Sequence, residues 1–430
     1  MRPARAPPPL RPRAASRRAI ENSIRAQGLY GPQKPGEGVE RMRVVLVAMA
    51  LLGATGAWAA AWAAPLSVRV LYLDRQVERP PILATLDVPP DDDGPQGARL
   101  ATADNASTGV FLNHAYALDV VTVAPDADFV AAGAAALAEG RDLIVTNAPA
   151  ADLLALADLP QARDALIFNA GATDDALRGA DCRANVLHAM PSRAMLADGL
   201  AQFLMKRRWD KWFLIEGQGP GDAEFAAALR AAATKFGARI VAERRWAFDA
   251  DMRRNAAEEF PLFTQGVEHD VIVVADEIGD WARYLPYNTW LARPVAGSEG
   301  LTPRAWSAAN ENWGAGQLQS RFQRQAGRPM LDRDYAAWAA LRSIGEAVTR
   351  TGAADAPTLR AYLLSDAFTL AGFKGAPMTW RRWDGQLRQP VFLAHPRAIA
   401  AVAPVEGYLH QANTLDTLGT DAPETLCAAF

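Results

Sequence analysis

Cysteine and histidine are scarce in this chain, with 2 cysteines and 5 histidines among 430 residues. The histidines are scattered without the spacing that metal ligands need, and no C-x-x-C, H-E-x-x-H, G-x-S-x-G or P-loop pattern occurs. These absences argue against a metal site, a catalytic nucleophile and a bound cofactor. We therefore expect a protein that is not an enzyme and that holds no cofactor.

One glycine-rich segment, GQGPG at residues 217–221, follows a predicted strand and precedes a predicted helix, as a dinucleotide-binding loop does. Asp222 stands where that fingerprint needs its third glycine. An acidic side chain at this position would face the pyrophosphate, so the sequence does not predict a nucleotide site.

An excess of positive charge is confined to the first 41 residues. They carry nine basic and three acidic side chains, a net charge of +6, against −3 for the whole chain, so the remainder carries −9. A protein with this negative net charge would repel phosphate backbones, which argues against a nucleic-acid partner. Nothing in residues 1–41 could build a core, and we predict that they are a non-native or disordered extension.

Met42 and Arg43 precede an apolar run, Val44–Ala64, that ends in small residues. A basic start, an apolar middle and a small-residue exit are the parts of a secretory signal peptide. We predict a signal peptide at 42–64 with translation starting at or near Met42, export to the periplasm, and no stable membrane insertion after cleavage. A membrane anchor is the alternative, because about 20 apolar residues can span a bilayer.

The two cysteines, Cys182 and Cys427, lie in the part of the chain predicted to be exported, into a compartment where thiols tend to oxidise. One disulfide between them is one interpretation, and two unpaired buried cysteines are the other. The sequence leaves both open, because it does not show whether the Cα atoms lie within bonding reach.

From Leu66 onward, short β-rich runs alternate with helical patterns, which is typical of parallel α/β sheets. One doubly wound lobe is complete at Asn169, and the pattern restarts at Asn185. Predicted helices include 94–118, 127–139, 151–158, 223–236, 252–264, 335–350 and 358–364, and predicted strands include 66–74, 119–123, 142–146, 165–169, 211–216, 239–246, 270–275 and 294–298. Asp384-Gly385 predicts a hairpin turn between Met378–Trp383 and Gln389–Leu393.

Several stretches carry a resemblance to a known family; they read VLYLDRQ (70–76), GARLATADNASTGVFLN (97–113), CRANVLHAMPSRAMLADGLAQFL (182–204), KWFLIEGQGPGD (211–222) and GFKGAPMTWRRWDGQLRQP (372–390). In their order and spacing the chain resembles type I periplasmic substrate-binding proteins of ABC transporters, of the branched-chain amino acid (Leu/Ile/Val-binding) class. Within that class it is most similar to the subfamily associated with PQQ-dependent alcohol dehydrogenase systems.

The resemblance implies an α/β fold of two Rossmann-like doubly wound lobes joined by three crossover segments. The crossovers would lie near Leu187–Pro191, Ser298–Thr302 and Phe368–Gly372. The expected domains are residues 65–187 plus 302–368 for lobe 1, 188–301 plus 369–415 for lobe 2, and 416–430 for a C-terminal tail.

The resemblance also implies a function, namely capture of a small molecule in the interlobe cleft by hinge closure, followed by docking on an ABC permease. The protein would act as a monomer, in a setting of PQQ-dependent alcohol oxidation and in company with components of that system. The alternative is a ligand-sensing or accessory periplasmic protein of the same fold that supports an alcohol dehydrogenase.

In open α/β sheets, ligands bind beyond the carboxyl ends of the strands. The candidate ligand-binding residues at these positions are Tyr72, Asp74, Asn147, Asn169, Thr173, Glu216, Gln218, Asp276, Glu277 and Glu299. The candidate hinge residues are His188, Pro191, Ser298, Gly300 and Gly372. Asn and Asp at strand ends also cap helices and close turns, which is the alternative interpretation for each of them.

The chain departs from the amino-acid-binding pattern after the third strand, where Asn147 is followed by Ala148 and Pro149. Proline has no N–H to offer a carboxylate. Carboxylates at several candidate positions would add an acidic field. We therefore expect a neutral polyol-like, cationic or metal-associated solute rather than an amino acid.

Overall fold

A computed structural model describes residues 64–78, 88–247, 252–279 and 281–430, without the side chains of 252–255. The predicted extension and nearly all of the predicted signal peptide lie outside the described residues. Within the described residues, no helix combines the length and the apolar character needed to cross a bilayer.

The first lobe is built on a parallel sheet of order β2-β1-β3-β4-β5. Its strands are β1 (Leu66–Arg75), β2 (His114–Val123), β3 (Leu143–Asn147), β4 (Leu166–Asn169) and β5 (Val186–His188). The helices α1 (Pro95–Leu112), α2 (Phe129–Ala138) and α3 (Ala150–Ala157) connect them. Both faces of the sheet are covered, since Val70 and Tyr72 of β1 pack in one hydrophobic cluster and Leu71 and Leu73 in another.

The second lobe repeats this plan with a parallel sheet of order β7-β6-β8-β9. Its elements are α4 (Arg193–Lys206), β6 (Lys211–Glu216), α5 (Pro220–Phe236), β7 (Arg239–Arg245), α6 (Met252–Thr264), β8 (Val271–Ala275) and β9 (Val295–Gly297). Strand β8 reads VIVVA and is buried throughout, as expected of a central parallel strand covered on both faces.

The remaining elements join the lobes or return to the first one. They are β10 (Thr302–Arg304), α7 (Ala315–Ala326), α8 (Asp332–Thr351), α9 (Ala356–Leu363), β11 (Leu370–Ala371), β12 (Pro377–Trp380), β13 (Leu387–Arg388), β14 (Val391–His395) and β15 (Ala398–Ala403). Two small antiparallel sheets result, of order β10-β14-β15 and β11-β12-β13. The predicted fold class, two α/β lobes with parallel sheets, is confirmed.

Strand β14 belongs to both lobes at once. Its second residue, Phe392, packs in the core around α8, whereas its neighbours Val391 and Leu393 pack in the core between α4 and α5. Because successive side chains of a strand point to opposite faces, one short strand carries side chains into the cores of both lobes. The segment 369–415, predicted to belong to lobe 2, is divided in the same way, since Trp380 packs in the first core.

The predicted helix 94–118 is wrong in its last six residues. Helix α1 ends at Leu112, and Asn113 adopts a left-handed conformation, with φ 55°, that terminates it. His114–Leu118 instead begins β2 and pairs with Leu66–Val70 of β1. Its residues alternate between half-buried and exposed, as suits an edge strand with one face on the protein.

In the predicted hairpin the turn at Asp384-Gly385 is confirmed, but the predicted second strand, Gln389–Leu393, is wrong. The turn at Asp384-Gly385 connects β12 to β13, with Thr379 opposite Arg388. Val391–His395 lies in a different sheet, between β10 and β15. Helix α7 and strand β15 were not predicted.

Cys182 and Cys427 form a disulfide, with their Cα atoms 5.6 Å apart. Of the two interpretations that the sequence leaves open, the structure therefore selects the paired one. The bond links the loop before β5 to the end of the chain.

Helices α1 and α8 approach each other so closely that only glycine fits at position 97. A Cβ atom on Gly97 would lie 1.8 Å from the carbonyl oxygen of Asp334. We expect Gly97→Ala to lower the free energy of unfolding by about 1–3 kcal/mol or more, because a backbone atom cannot move aside without shifting α8. Urea denaturation measures the change.

The matched control is Gly316→Ala in α7, where a Cβ would meet nothing within 4 Å. Alanine has the higher helix propensity, so this variant should match or exceed the wild type by up to about 1 kcal/mol. Equal effects of the two substitutions would contradict the close approach.

Candidate functional site

Three predicted site residues of lobe 1 lie together at the carboxyl ends of β1 and β3. The Asn147 side chain donates a hydrogen bond to Asp74, with Nδ2 and Oδ1 2.8 Å apart. Tyr72 lies beside them, and a Cβ on Gly94 would come within 2.0 Å of its hydroxyl oxygen. That hydroxyl is fully buried with no hydrogen-bond partner among the described residues, and burial raises the pKa of Tyr72 well above its ordinary value, with Asp74 adding to the effect.

Asn169, at the end of β4, uses its side chain to close a turn. Its Oδ1 accepts from the backbone N–H groups of Gly171 and Ala172, and its Nδ2 donates to the Ala172 carbonyl. The same Nδ2 lies 3.1 Å from Nδ1 of His188. Burial, and then the charge of Arg178, hold the pKa of His188 well below its usual range. The turn-closing alternative therefore describes Asn169.

Beyond β8, Asp276 performs a similar local task. It accepts hydrogen bonds from the N–H groups of Gly279, Trp281 and Ala282. Its own N–H donates to Ser298 Oγ at 2.7 Å, which ties the loop after β8 to the predicted hinge. Glu299, the next candidate, accepts from the N–H of Gly300.

Glu216 is paired inside lobe 2. It contacts Arg230 at 2.7 Å and Arg245 at 2.6 Å, on α5 and the edge strand β7. Burial would raise the pKa of Glu216, but the hydrogen bonds from the two arginines outweigh it and lower the pKa. Its negative charge is compensated locally, so it adds little to an acidic field in the cleft.

The two lobes meet at the N-terminus of α4. The backbone N–H of Arg193 donates to the Thr173 carbonyl, and Asp175 accepts from the N–H of Ala194. Thr173 and Asp175 follow β4 of lobe 1, whereas α4 belongs to lobe 2. The loops beyond the carboxyl ends of the two parallel sheets therefore face each other.

Arg193 is the central charge of this meeting point and was not predicted. Its guanidinium makes two hydrogen bonds to Glu277, at 2.7 and 2.8 Å, contacts Glu224, and lies 3.6 Å from Asp174. Burial would lower the pKa of Arg193, but its hydrogen bonds and the charge of Glu277 raise it. One signal was present in the sequence: a cation in the first turn of a helix is disfavoured by the helix dipole, which indicates nearby carboxylates.

The carboxylates at this interface outnumber Arg193. Asp174, Glu224 and Glu277 keep 27%, 52% and 32% of their side chains exposed. Burial raises the pKa of Glu224 even though Arg193 opposes the shift. Gln218, which precedes Glu224 in the sequence and lies on the loop after β6, is also exposed. The exposed groups of this region are therefore mainly acidic or neutral.

Two of the predicted hinge residues, Pro191 and Gly300, lie in segments that connect elements of the two lobes. Pro191 is buried between β5 and α4, and Gly300, with φ 76°, turns the chain between β9 and β10. Gly372 lies within lobe 1 instead, since Leu370 and Met378 on either side of it pack in the first core and its carbonyl accepts a hydrogen bond from the Tyr335 hydroxyl at 2.7 Å. The first of these passages is held by Gln386, whose side-chain amide donates to the His188 carbonyl.

Lys374 is buried at the same junction, with 1% of its surface exposed. Its Nζ donates to Gln389 Oε1 at 2.8 Å and lies over the rings of Tyr335 and Phe392, at 4.9 and 5.3 Å. Burial lowers the pKa of Lys374 to about 7, although Asp332 opposes the shift. This amine is thus held by Gln389 and two aromatic rings beside the shared strand β14.

Among the described residues, no group of three His, Cys, Asp or Glu side chains is arranged to hold a metal ion. The polar groups that converge at the lobe interface are instead amides, carboxylates and one guanidinium, which suit hydrogen bonding to a small organic solute.

Residues 92–253 match a sequence family described as periplasmic binding protein. Solved structures share the fold. A periplasmic binding protein from Burkholderia mallei is 16% identical, with a TM-score of 0.61, over 86% of this chain and 100% of its own. A branched chain amino acid ABC transporter periplasmic ligand-binding protein from Burkholderia xenovorans is 16% identical, with a TM-score of 0.62, over 85% and 99%.

A leucine-, isoleucine-, valine-, threonine- and alanine-binding protein from Brucella ovis, in a closed conformation, is 14% identical, with a TM-score of 0.58, over 77% of this chain and 89% of its own. No curated protein matches the chain. The chain thus has the fold of type I periplasmic binding proteins.

The buried amine of Lys374 makes stability depend on pH. Its pKa is lowered in the folded state, so between pH 7 and about 10 the unfolded chain binds a proton that the folded chain does not, and stability rises with pH. We expect Lys374→Met to remove this rise, each unit of pKa being worth about 1.4 kcal/mol. Urea denaturation at pH 6 and pH 9 measures it.

The control is Lys206→Met, whose side chain is 47% exposed. Its difference from the wild type should be the same at both pH values. If the Lys374→Met difference were equally independent of pH, the buried amine would be charged throughout this range and the expectation would be wrong.

Proposed function

We propose that this protein captures a small solute between its lobes by hinge closure and delivers it to an ABC permease. The observation that carries the proposal is the contact of the 173–175 loop with Arg193, which brings the carboxyl ends of both parallel sheets to one interface. Ligands of open α/β sheets bind at such edges. A solute that touches both lobes favours the closed state, because those contacts exist only there.

The proposed ligand contacts are the polar side chains that keep exposure at this interface. They are Asn147 and Thr173 from lobe 1, with Gln218 and Glu277 from lobe 2. Asn169 and Asp276 support them by holding the loops, as their hydrogen bonds to backbone N–H groups indicate.

The charges at the interface support a cationic or neutral hydroxyl-bearing solute. Three partly exposed carboxylates surround the single guanidinium of Arg193. A ligand carboxylate would approach the N-terminus of helix α3. The N-cap residue there is Pro149, which has no N–H to donate. The Brucella ovis protein binds amino acids, and an amino acid is therefore the main competing class.

The proposed location is the periplasm, in line with the family match and the predicted signal peptide. The setting in PQQ-dependent alcohol oxidation rests on the sequence resemblance alone. Adjacent genes for a permease and an ATPase would support delivery, and an adjacent sensor kinase would support a sensing role instead.

A thermal-shift panel tests the solute class. We expect ethanolamine or glycerol to raise the melting temperature more than L-leucine or PQQ, since a ligand at 100 times its Kd adds about 2.7 kcal/mol to stability. A larger shift with L-leucine would contradict the charge argument while leaving solute capture in place. No shift with any small solute, including a wider panel of alcohols and amines, would count against capture itself.

The variant Glu277→Gln tests the proposed site. Its ligand is the compound that raises the melting temperature of the wild type most. We expect its Kd, measured by calorimetry, to rise about tenfold, a change of about 1.4 kcal/mol. The control is Glu139→Gln, because Glu139 also pairs with an arginine, Arg141 at 2.8 Å, but at the end of α2. Equal affinities of both variants and the wild type would place the site elsewhere.

A further inference from the structure

The last residues of the chain, 413–430, run from lobe 2 to lobe 1, and we name them the C-terminal strap. On lobe 2, Lys235 of α5 donates hydrogen bonds to the carbonyl oxygens of Thr417 and Gly419, at 3.2 and 2.9 Å. Leu418 between them is fully buried in the core of that lobe. This end of the strap is therefore held by packing as well as by hydrogen bonds.

The middle of the strap is held by Arg381 in the β12–β13 hairpin. Its guanidinium donates to Asp416 Oδ1 at 3.0 Å and to the carbonyl oxygens of Leu418 and Thr420, at 2.7 and 3.3 Å. The Arg381 side chain is 1% exposed. Hydrogen bonds to a buried charged group are among the stronger ones.

The far end of the strap is attached to lobe 1. Cys427 is bonded to Cys182, which lies in the loop between β4 and β5. Phe430 packs against the core around α8, and the Arg360 guanidinium of α9 lies 5.3 Å from its ring centre. Both attachments are to elements of the first lobe.

We infer that the C-terminal strap, locked by the Cys182–Cys427 disulfide, is a further connection between the lobes that restricts their relative motion. Within the 245 residues that separate the two cysteines, the chain adds β5 to lobe 1, forms lobe 2 and returns to lobe 1 in α7, α8 and α9. The disulfide closes this path at its lobe 1 end. A tether fixed on two bodies limits the separations and orientations that they sample.

This inference rests on the two-lobed fold and not on the identity of any solute. The competing explanation is that the disulfide only secures the end of the chain on lobe 1. The two differ in one measurable respect, because a strap changes interlobe motion and a local attachment changes stability alone.

The experiment measures the distance between the lobes by single-molecule fluorescence energy transfer. The two dyes are attached to p-azidophenylalanine, which replaces Ala135 in lobe 1 and Glu268 in lobe 2, both exposed positions. We expect the double variant Cys182→Ser and Cys427→Ser to widen the distribution of interlobe distances by about half. The wild type treated with dithiothreitol should show the same widening, which gives a second measurement if the variant folds poorly.

Lys235→Gln tests the strap at its other end. It removes the hydrogen bonds to Thr417 and Gly419 and leaves the disulfide intact. Leu418 and the hydrogen bond from the Gly419 N–H to Asp198 still hold this end, so Lys235→Gln alone should widen the distribution less than loss of the disulfide. Combining it with the cysteine variant should widen the distribution no further than the cysteine variant alone.

The control is Phe260→Leu, a fully buried residue of α6 on the face of the lobe 2 sheet opposite the strap. It should lower stability without changing the width of the distance distribution. The inference is overturned if removal of the disulfide, by substitution or by reduction, lowers the melting temperature but leaves the width unchanged.

Discussion

The architecture depends on β14, a strand of five residues that is buried from two sides. Phe392 enters the core of lobe 1, and Val391 and Leu393 enter the core of lobe 2. Each lobe covers one face of this strand, so the apolar side chains of both faces are removed from water only when both lobes pack on it. The lobes therefore share one structural element, and the passages between them are gathered around it.

Polar side chains complete this junction where regular secondary structure ends. The passage after β5 leaves carbonyl groups that no strand covers, and Arg178 and Gln386 donate to them, with Met190 accepting from both. Buried backbone groups must find partners, so the junction requires side chains of this kind. Buried polar side chains need partners as well, which explains why Lys374 lies between Gln389 and aromatic rings rather than in an entirely apolar site.

The interface between the lobes differs in character from the junction behind it. Its charges are partly exposed and predominantly acidic, with Arg193 as the cation that bridges Glu277 to the loop of Asp174. The proposed closure on a solute needs contacts that can be exchanged, and partly exposed ion pairs contribute only modestly to stability. The strap on residues 413–430 adds the opposite property, a covalently fixed contact that does not exchange.

The sequence alone determined the central strands and most helices, because burial on both faces requires uninterrupted apolar runs such as VIVVA at 271–275. The end of the predicted helix 223–236 is correct, because Gly237 caps it and capping is a contact between near neighbours in the chain. The predicted end of the first helix, at residue 118 instead of Leu112, was wrong, since the half-buried edge strand that follows Asn113 has only weak periodicity. The carboxyl-edge positions of the candidate site also followed from the order of strands, although that order could not separate a ligand contact from a turn-closing residue such as Asn169.

Only the tertiary structure decided the partners of those positions. Arg193 and Glu277 are 84 residues apart, and Cys182 and Cys427 are 245 apart. Glu216 was expected in an acidic cleft, but it faces Arg230 and Arg245 because of how β6, β7 and α5 pack. A side-chain pattern specifies local conformation through contacts a few residues away, whereas the charge and covalent state of a site depend on which distant segments the packed cores bring together.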